Sequence, residues 1–366
     1  MHIIPLAISS AVTTKVLLIV IAIVFFGLII MCHEGGHFLV AKLFKVKINE
    51  FSMGMGPCIF KRKKGETRYS LRLFPIGGFV AMEGEDSESE DERAFCNKPA
   101  WQRFLIVAAG AVVNLIMGFI IVIIMLAFAT GDESGIGTTQ ILYFQDDAVS
   151  CDYGLEEGDI IKKVNGKNVF SLYDLSLIMT SDSDGVFDMT VKRGGEKVNL
   201  EGVKFNMAEF NGKNTMVLDF IFKGVDPTFL NVLRYAPLQT VSLGRMVYMS
   251  FFELITGHYG LNDLSGPIGT VAVVAESAQS QSGGIDFETM FLVMALIAVN
   301  IGIFNLFPIP ALDGGRLLFI LIEMIFRRRV PEKYEKWVHA VGLVILLAFV
   351  AVISANDIIK LIRGQF

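Results

Sequence analysis

Four stretches of the chain are too long and too apolar for the surface of a soluble protein, and they decide what it can fold into. Val16 to Met31 is an unbroken run of apolar residues and glycine. Phe104 to Ala129 carries one polar residue, Asn114. Phe287 to Phe304 is apolar apart from Glu288, Thr289 and Asn300, and Val338 to Ile353 is broken only by His339. A bilayer-spanning helix needs about 20 mostly apolar residues, so each run crosses with modest extension. Leu312 to Phe326 is shorter and holds Asp313 and Arg316, which predicts a re-entrant or partial helix. Only 19% of the 366 residues are charged, against about 25% in soluble domains. Disordered, fibrous and disulfide-stapled chains are thereby excluded, and Cys32, Cys58, Cys96 and Cys151 show no paired spacing. A net charge of −5 argues against nucleic acid as a partner. The first run lacks the basic flank and small-residue cleavage site of a signal peptide, so it is read as a retained helix.

Lys and Arg are dense from Lys42 to Arg103 and again from Arg316 to Lys336, while the first 14 residues hold only Met1, His2 and uncharged residues. The positive-inside rule then puts both basic loops in the cytosol and both termini outside, with the long segment from Gly131 to Asp286 outside too. Within the first basic loop, Tyr69, Leu71 and Leu73 alternate with Arg68, Ser70 and Arg72, the period of a strand. Lys61 to Glu66 reads as a hairpin turn. Glu83 to Glu92 is strongly acidic and reads as a solvated loop, with metal gathering as the weaker alternative. The outer segment is soluble in character. Strands are expected at Ile141–Phe144 and Met189–Lys192, a helix at Leu172–Met179, and an Asn165-Gly166 hairpin turn after Ile160–Val164. Phe229 to His258 is amphipathic and reads as a packing or interfacial helix, with a substrate gate as the alternative.

The chemistry sits against the apolar runs. His33-Glu34-Gly35-Gly36-His37 is an H-E-x-x-H motif directly after the first run. Positions four apart share a helix face, so two imidazoles there can hold one Zn²⁺ and leave Glu34 to act on water. Ionisable groups at membrane depth are costly unless they serve a function. A catalytic zinc site needs a third protein ligand and an open position. The candidate is Asp313, in Asn305-Leu306-Phe307-Pro308-Ile309-Pro310-Ala311-Leu312-Asp313-Gly314-Gly315. Pro308 and Pro310 must break the helix there, and irregular backbone at that depth survives only where protein buries it or it lines a wet cavity. Asp313 also suits a helix N-cap, and the two roles are compatible. His258 and His339 read as ordinary residues.

Together these motifs resemble the site-2 protease family of intramembrane zinc metalloproteases. Phe74-Pro75-Ile76-Gly77-Gly78-Phe79-Val80 resembles the family's cytosolic loop, which re-enters the membrane as a β-hairpin. Ser265-Gly266-Pro267-Ile268-Gly269 resembles the segment before its third helix. Gly154-Leu155-Glu156-Glu157-Gly158-Asp159-Ile160-Ile161, leading into Val164-Asn165-Gly166, resembles a circularly permuted bacterial PDZ domain, a module that binds extended peptides by strand addition. That insert points to the bacterial sigma-factor-regulator branch. The chain departs from the branch at Ala111, where Pro is usual, and in showing one PDZ unit where the best-known enterobacterial type has two.

The resemblance implies an α-helical polytopic membrane protein with four transmembrane helices, a cytosolic-side re-entrant β-hairpin and an inserted extracytosolic α+β PDZ domain. Residues 1–130 would form the first half of the core, with helices at about 14–44 and 104–129 and the hairpin at about 47–82. The PDZ domain would cover 131–210 and a linker with an amphipathic helix 211–286. The second half, 287–366, would hold helices at 287–304 and about 337–360. The implied activity is zinc-dependent cleavage of the membrane segments of single-pass proteins, such as anti-sigma factors or remnant signal peptides, in the inner or plasma membrane. His33, His37 and Asp313 would hold one Zn²⁺. Glu34 would take a proton from water and pass it to the leaving amine. Asn305 would donate to substrate or oxyanion, and the strand edge around Leu71, Leu73, Gly77 and Gly78 would receive the unwound substrate. Two other functions remain open on the residues alone: a membrane scaffold with a peptide-binding PDZ domain, which would tolerate loss of Glu34, and a transporter, which would show internal repeats.

Overall fold

A computed structural model describes residues 3–85, 87–129, 135–180, 184–210, 213–256 and 285–362. His258 and the segment Ser265–Gly269 lie outside these described residues. In chain order the elements are α1 (Ile3–Leu43), β1 (Ile48–Lys64), β2 (Thr67–Met82), α2 (Ala100–Ala127), β3 (Ile136–Phe144), β4 (Ile160–Val164), β5 (Lys167–Asn168), α3 (Leu172–Thr180), β6 (Val186–Arg193), β7 (Glu196–Lys204), β8 (Met207–Phe210), β9 (Lys213–Met216), β10 (Phe220–Val225), α4 (Phe229–Ile255), α5 (Phe287–Phe304), α6 (Asp313–Phe326) and α7 (Glu332–Ile362). The chain divides into two compact units, one of Met1–Gly118 with Glu253–Phe366 and one of Phe119–Phe252.

Among the described residues four helices are long and apolar enough to cross a membrane: α1, α2, α5 and α7. Each covers one of the apolar runs. Helix α1 begins at Ile3, well ahead of the expected start near 14. Pro5 falls in its first turn, where a missing N–H costs nothing. Likewise α2 and α7 start at or just after Pro99 and Pro331, several residues before the apolar runs themselves. Helix α1 ends where Lys45 turns left-handed, at φ 56°, and the Val46 N–H reaches back to the Ala41 carbonyl. Helices α2 and α5 approach closely. A Cβ on Gly302 would meet Leu115 at 2.9 Å and the Ala111 carbonyl at 3.1 Å, so only glycine fits there. The helix runs unbroken through Ala111.

Between α1 and α2, β1 and β2 form their own sheet. Its register is folded on itself. Phe51 is paired with Val80 on one side and Tyr69 on the other, and Met53 with Gly78 and Leu71. Gly54 and Gly56, at φ 83° and 88°, allow the bend. Glu50 accepts from Ser70 at 2.7 Å and from Arg72 at 2.9 Å. Burial opposes its charge, but these two bonds and Arg68 outweigh that and hold its carboxyl below the usual range. The acidic run beyond is partly folded. Glu83 accepts from Asn49 and Ser89, Asp91 accepts from Lys47, and Glu85 pairs with Arg316.

The second unit is built on a sheet of order β10-β3-β4-β6-β7, with β5 paired to β4. Strands β3 and β6 and helix α3 cover the strands and helix expected there. Asn165 and Gly166 take positive φ, 47° and 74°, and turn β4 into β5. Phe187, Phe220, Ile141, Leu155, Ile161 and Met189 fill the core. Asp159 is buried, and Arg193 clamps both of its oxygens at 2.7 and 2.8 Å. This accounts for the charge in the Gly-Leu-x-x-Gly-Asp motif: a buried carboxylate needs a bidentate partner. Strand β10 joins the sheet although it lies beyond residue 210, in the segment expected to be a linker. Phe220 carries it into the core, and Asp219 ties it down by accepting from the backbone of Val149 and Ser150, each at 2.8 Å.

Candidate metal centre

The site lies wholly in the first unit. Helix α1 carries His33 and His37 on one face, a turn apart. The break at Pro308–Pro310 ends α5 and lets α6 restart at Asp313. At the break Ala311 is left-handed, φ 72°, and its N–H donates to His339 Nδ1 at 3.1 Å. His339 thus supports the irregular backbone. Gly314 and Gly342 are required there. A Cβ on Gly314 would overlap the Phe307 carbonyl, and one on Gly342 would overlap the Pro310 ring.

These elements bring three ligand atoms together across 280 residues of chain. Asp313 Oδ2 is 3.0 Å from His33 Nε2 and 3.2 Å from His37 Nε2, and the two Nε2 atoms are 3.2 Å apart. A tetrahedral ion with ligand bonds of about 2.0 Å separates its ligand atoms by about 3.3 Å, so the triangle fits zinc closely. Among the described residues it is the one cluster of three or more His, Cys, Asp or Glu groups suited to a metal. His37 is buried, while Asp313 is partly exposed, which leaves a side open.

The ring nitrogens facing away from the triangle are also engaged. His37 Nδ1–H donates to the Ile106 carbonyl at 2.8 Å, which leaves Nε2 as a lone pair for a metal. The Asn114 amide lies 3.2 Å from His33 Nδ1, and its Oδ1 has no partner among the described residues. With the amide turned so that its oxygen accepts from Nδ1–H, His33 Nε2 is also free to ligate. Gly110 presses on the pair, since a Cβ there would overlap His37 Nε2 and lie 2.7 Å from His33 Cε1. Asn114 was visible in the sequence only as the lone polar residue of an apolar run. That oddity was the available signal, because nothing local links it to a histidine 81 residues earlier.

The substrate-side candidates are not all in one place. Gly78 passes directly over the motif, where a Cβ would sit 3.3 Å from Glu34 Cγ. Gly77, at φ 91°, packs on Met55. Leu71 and Leu73 are exposed on β2, but the backbone of Leu71 is flanked by Met53 and Phe60. Both backbone sides of Leu71 are taken by the folded-back register. The segment Gly78–Met82 is paired with β1 alone, and it is the one beside Glu34. Asn305 caps the C-terminus of α5 through its backbone.

Membrane helices around two imidazoles and a carboxylate at zinc spacing define a membrane-embedded metal hydrolase. The profile of peptidase family M50 matches residues 21–349. The chain belongs to this family, the site-2 proteases, and it is a multi-pass membrane zinc metalloprotease. It is 37% identical over 346 residues to a protein of Fusobacterium nucleatum named as a zinc metalloprotease, covering 93% of this chain and 98% of that one. A similarly named protein of Clostridium acetobutylicum is 34% identical over 345 residues, covering 93% and 97%. The regulator of sigma-W protease RasP of Bacillus subtilis is 28% identical over 420 residues, covering 93% and 97%. The scaffold and transporter alternatives are set aside by this membership.

Proposed function

We propose that His33, His37 and Asp313 hold one zinc ion and that Glu34 is the general base of an endopeptidase that cuts the membrane segments of single-pass proteins. The observation that carries this reading is the 3.0–3.2 Å triangle of ligand atoms beside Glu34. Zinc, when bound, supplies Lewis acidity that makes water nucleophilic at neutral pH and stabilises charge developing on the scissile carbonyl. Glu34 takes the proton from the attacking water and returns it to the leaving amine. His37 and His33 are held in the ligating tautomer by the Ile106 carbonyl and Asn114. Asn305 is the candidate donor to the substrate.

A helical substrate hides its carbonyls in i to i−4 bonds, so it must unwind before attack. The Gly78–Met82 edge offers the unwound strand a ladder next to Glu34, with Gly77 and Gly78 leaving room for its backbone and Leu71 and Leu73 in apolar contact farther along β2. Met55, Ile59, Phe60, Leu71, Leu73 and Phe74 are all exposed, which supports a hairpin that dips into the bilayer. The insert reads as one PDZ domain, supported by its sheet-and-helix build around the Gly-Leu-x-x-Gly-Asp clamp, and a peptide is its candidate ligand. The termini and the insert are assigned to the extracytosolic side and the active site to the cytosolic side, on the distribution of Lys and Arg. Anti-sigma factors are candidate substrates on the resemblance to the sigma-factor-regulator branch, and remnant signal peptides are a second class.

The test is zinc analysis together with cleavage of a model transmembrane segment by the full chain. Glu34→Gln should retain zinc and lose at least about 10²–10⁴-fold in rate. Zinc retention with undiminished cleavage would refute the assignment.

A further inference from the structure

The second unit holds a groove of about 500 Å³ that the peptidase chemistry does not use. It runs between the sheet and the first turns of α4, and Lys162, Lys163, Lys197, Lys223 and Arg234 line it. No carboxylate lines it among the described residues, although the chain as a whole carries a charge of −5. No ion pair engages any of these five cations among the described residues. Burial lowers the Lys162 ammonium below its usual range, and the neighbouring charges that add to this, Lys192 and Arg234, are cations too. Such crowding costs free energy unless an anion relieves it.

A second observation points the same way. Gln239 lines the groove and is only 7% exposed, yet its Oε1 has no hydrogen-bond partner among the described residues. A buried acceptor without a donor marks a place where something else donates. Just before the groove-lining Arg234, α4 exposes Phe229, Leu230 and Leu233, all within five residues of it. Apolar residues beside a cation are the composition of a helix that lies in a membrane interface. The unit also contains the last turns of α2, Phe119–Ala127. Gly137 of the groove follows Ala127 by ten residues, a reach of at most about 35 Å from the end of a membrane-spanning helix.

We infer that this groove binds the headgroup of an anionic phospholipid, its phosphate against Lys162, Lys163, Lys223 and Arg234 and a headgroup hydroxyl donating to Gln239. The exposed start of α4 enters the acyl boundary, so the lipid fastens the insert to the bilayer surface.

The test uses the full chain in zwitterionic detergent, with retained lipid counted by native mass spectrometry across a titration. Phosphatidylglycerol should be retained in preference to phosphatidylcholine. The variant K162Q/K163Q/K223Q/R234Q should bind phosphatidylglycerol more weakly by about fivefold per charge removed. Replacing the three lysines by arginine should preserve binding, as should K61Q/K63Q/K64Q, which removes cations from the hairpin instead. Should the quadruple variant fail to fold, judged by melting temperature and zinc content, the single exposed change Lys223→Glu carries the same expectation. Equal binding by wild type and variant would overturn the proposal. So would displacement of the lipid by inorganic phosphate at matched concentration, which would mark a free-phosphate site. Retention of a glutamate-rich peptide in place of the lipid would overturn it too, by marking an acidic polypeptide as the ligand.

Discussion

A histidine can ligate zinc only through a nitrogen that carries no proton, and the residues that settle this for His33 and His37 are distant in sequence. The Ile106 carbonyl acts on His37 and Asn114 on His33, both from α2. Asn114 is fully buried, so its amide has no water to compete with the ring. Asn114→Ala should weaken zinc binding by about 10–100-fold. Zinc retention against a competing chelator measures this directly, and retention equal to wild type would show that His33 needs no such partner. The H-E-x-x-H motif and Asp313 were legible in the sequence because their spacing and their cost at membrane depth are local facts. Asn114 and Gly110 were not, because their roles exist only once α2 lies against α1.

At the scale of elements, the folded-back register of β1 and β2 decides which strand meets the active site. The alternation around Tyr69–Leu73 does form a strand, but its neighbours occupy both sides of that segment. Pairing partners are not encoded by period, since any alternating strand fits either edge. Gly78 is the residue to change. Ala there would bring a methyl to 3.0 Å from the Ser52 carbonyl and 3.3 Å from Glu34 Cγ. Overpacking of this kind costs about 1–3 kcal/mol. Gly78→Ala should therefore cut cleavage of a membrane segment by roughly tenfold or more while zinc content stays at one ion per chain. Full cleavage would show that the substrate does not pass this edge. Helix α6 is held by Arg103 to Glu323 at 2.5 Å and by Arg316 to Glu85, so the loop after β2 and the helix bearing Asp313 are tied together.

For the whole molecule, the natural cysteines offer a direct test of orientation. Cys58 is exposed on β1 and Cys151 is partly exposed in the insert. In variants that retain a single cysteine, a membrane-impermeant thiol reagent added outside intact cells should label Cys151 and spare Cys58. Labelling of Cys58 alone would invert the assigned topology.

By itself the sequence determined the class of molecule. Apolar runs of spanning length admit only membrane helices, because backbone groups in lipid must satisfy one another. It also marked out the candidate ligand types, since charge at that depth persists only where it is bound or paired. Tertiary structure alone decided how closely Asp313 approaches the two imidazoles, at 3.0–3.2 Å, which carbonyl and amide orient them, and which strand edge lies over Glu34. Those are contacts between segments far apart in the chain, and they come from close helix packing at glycine and from strand pairing. A local pattern of residues carries no record of either.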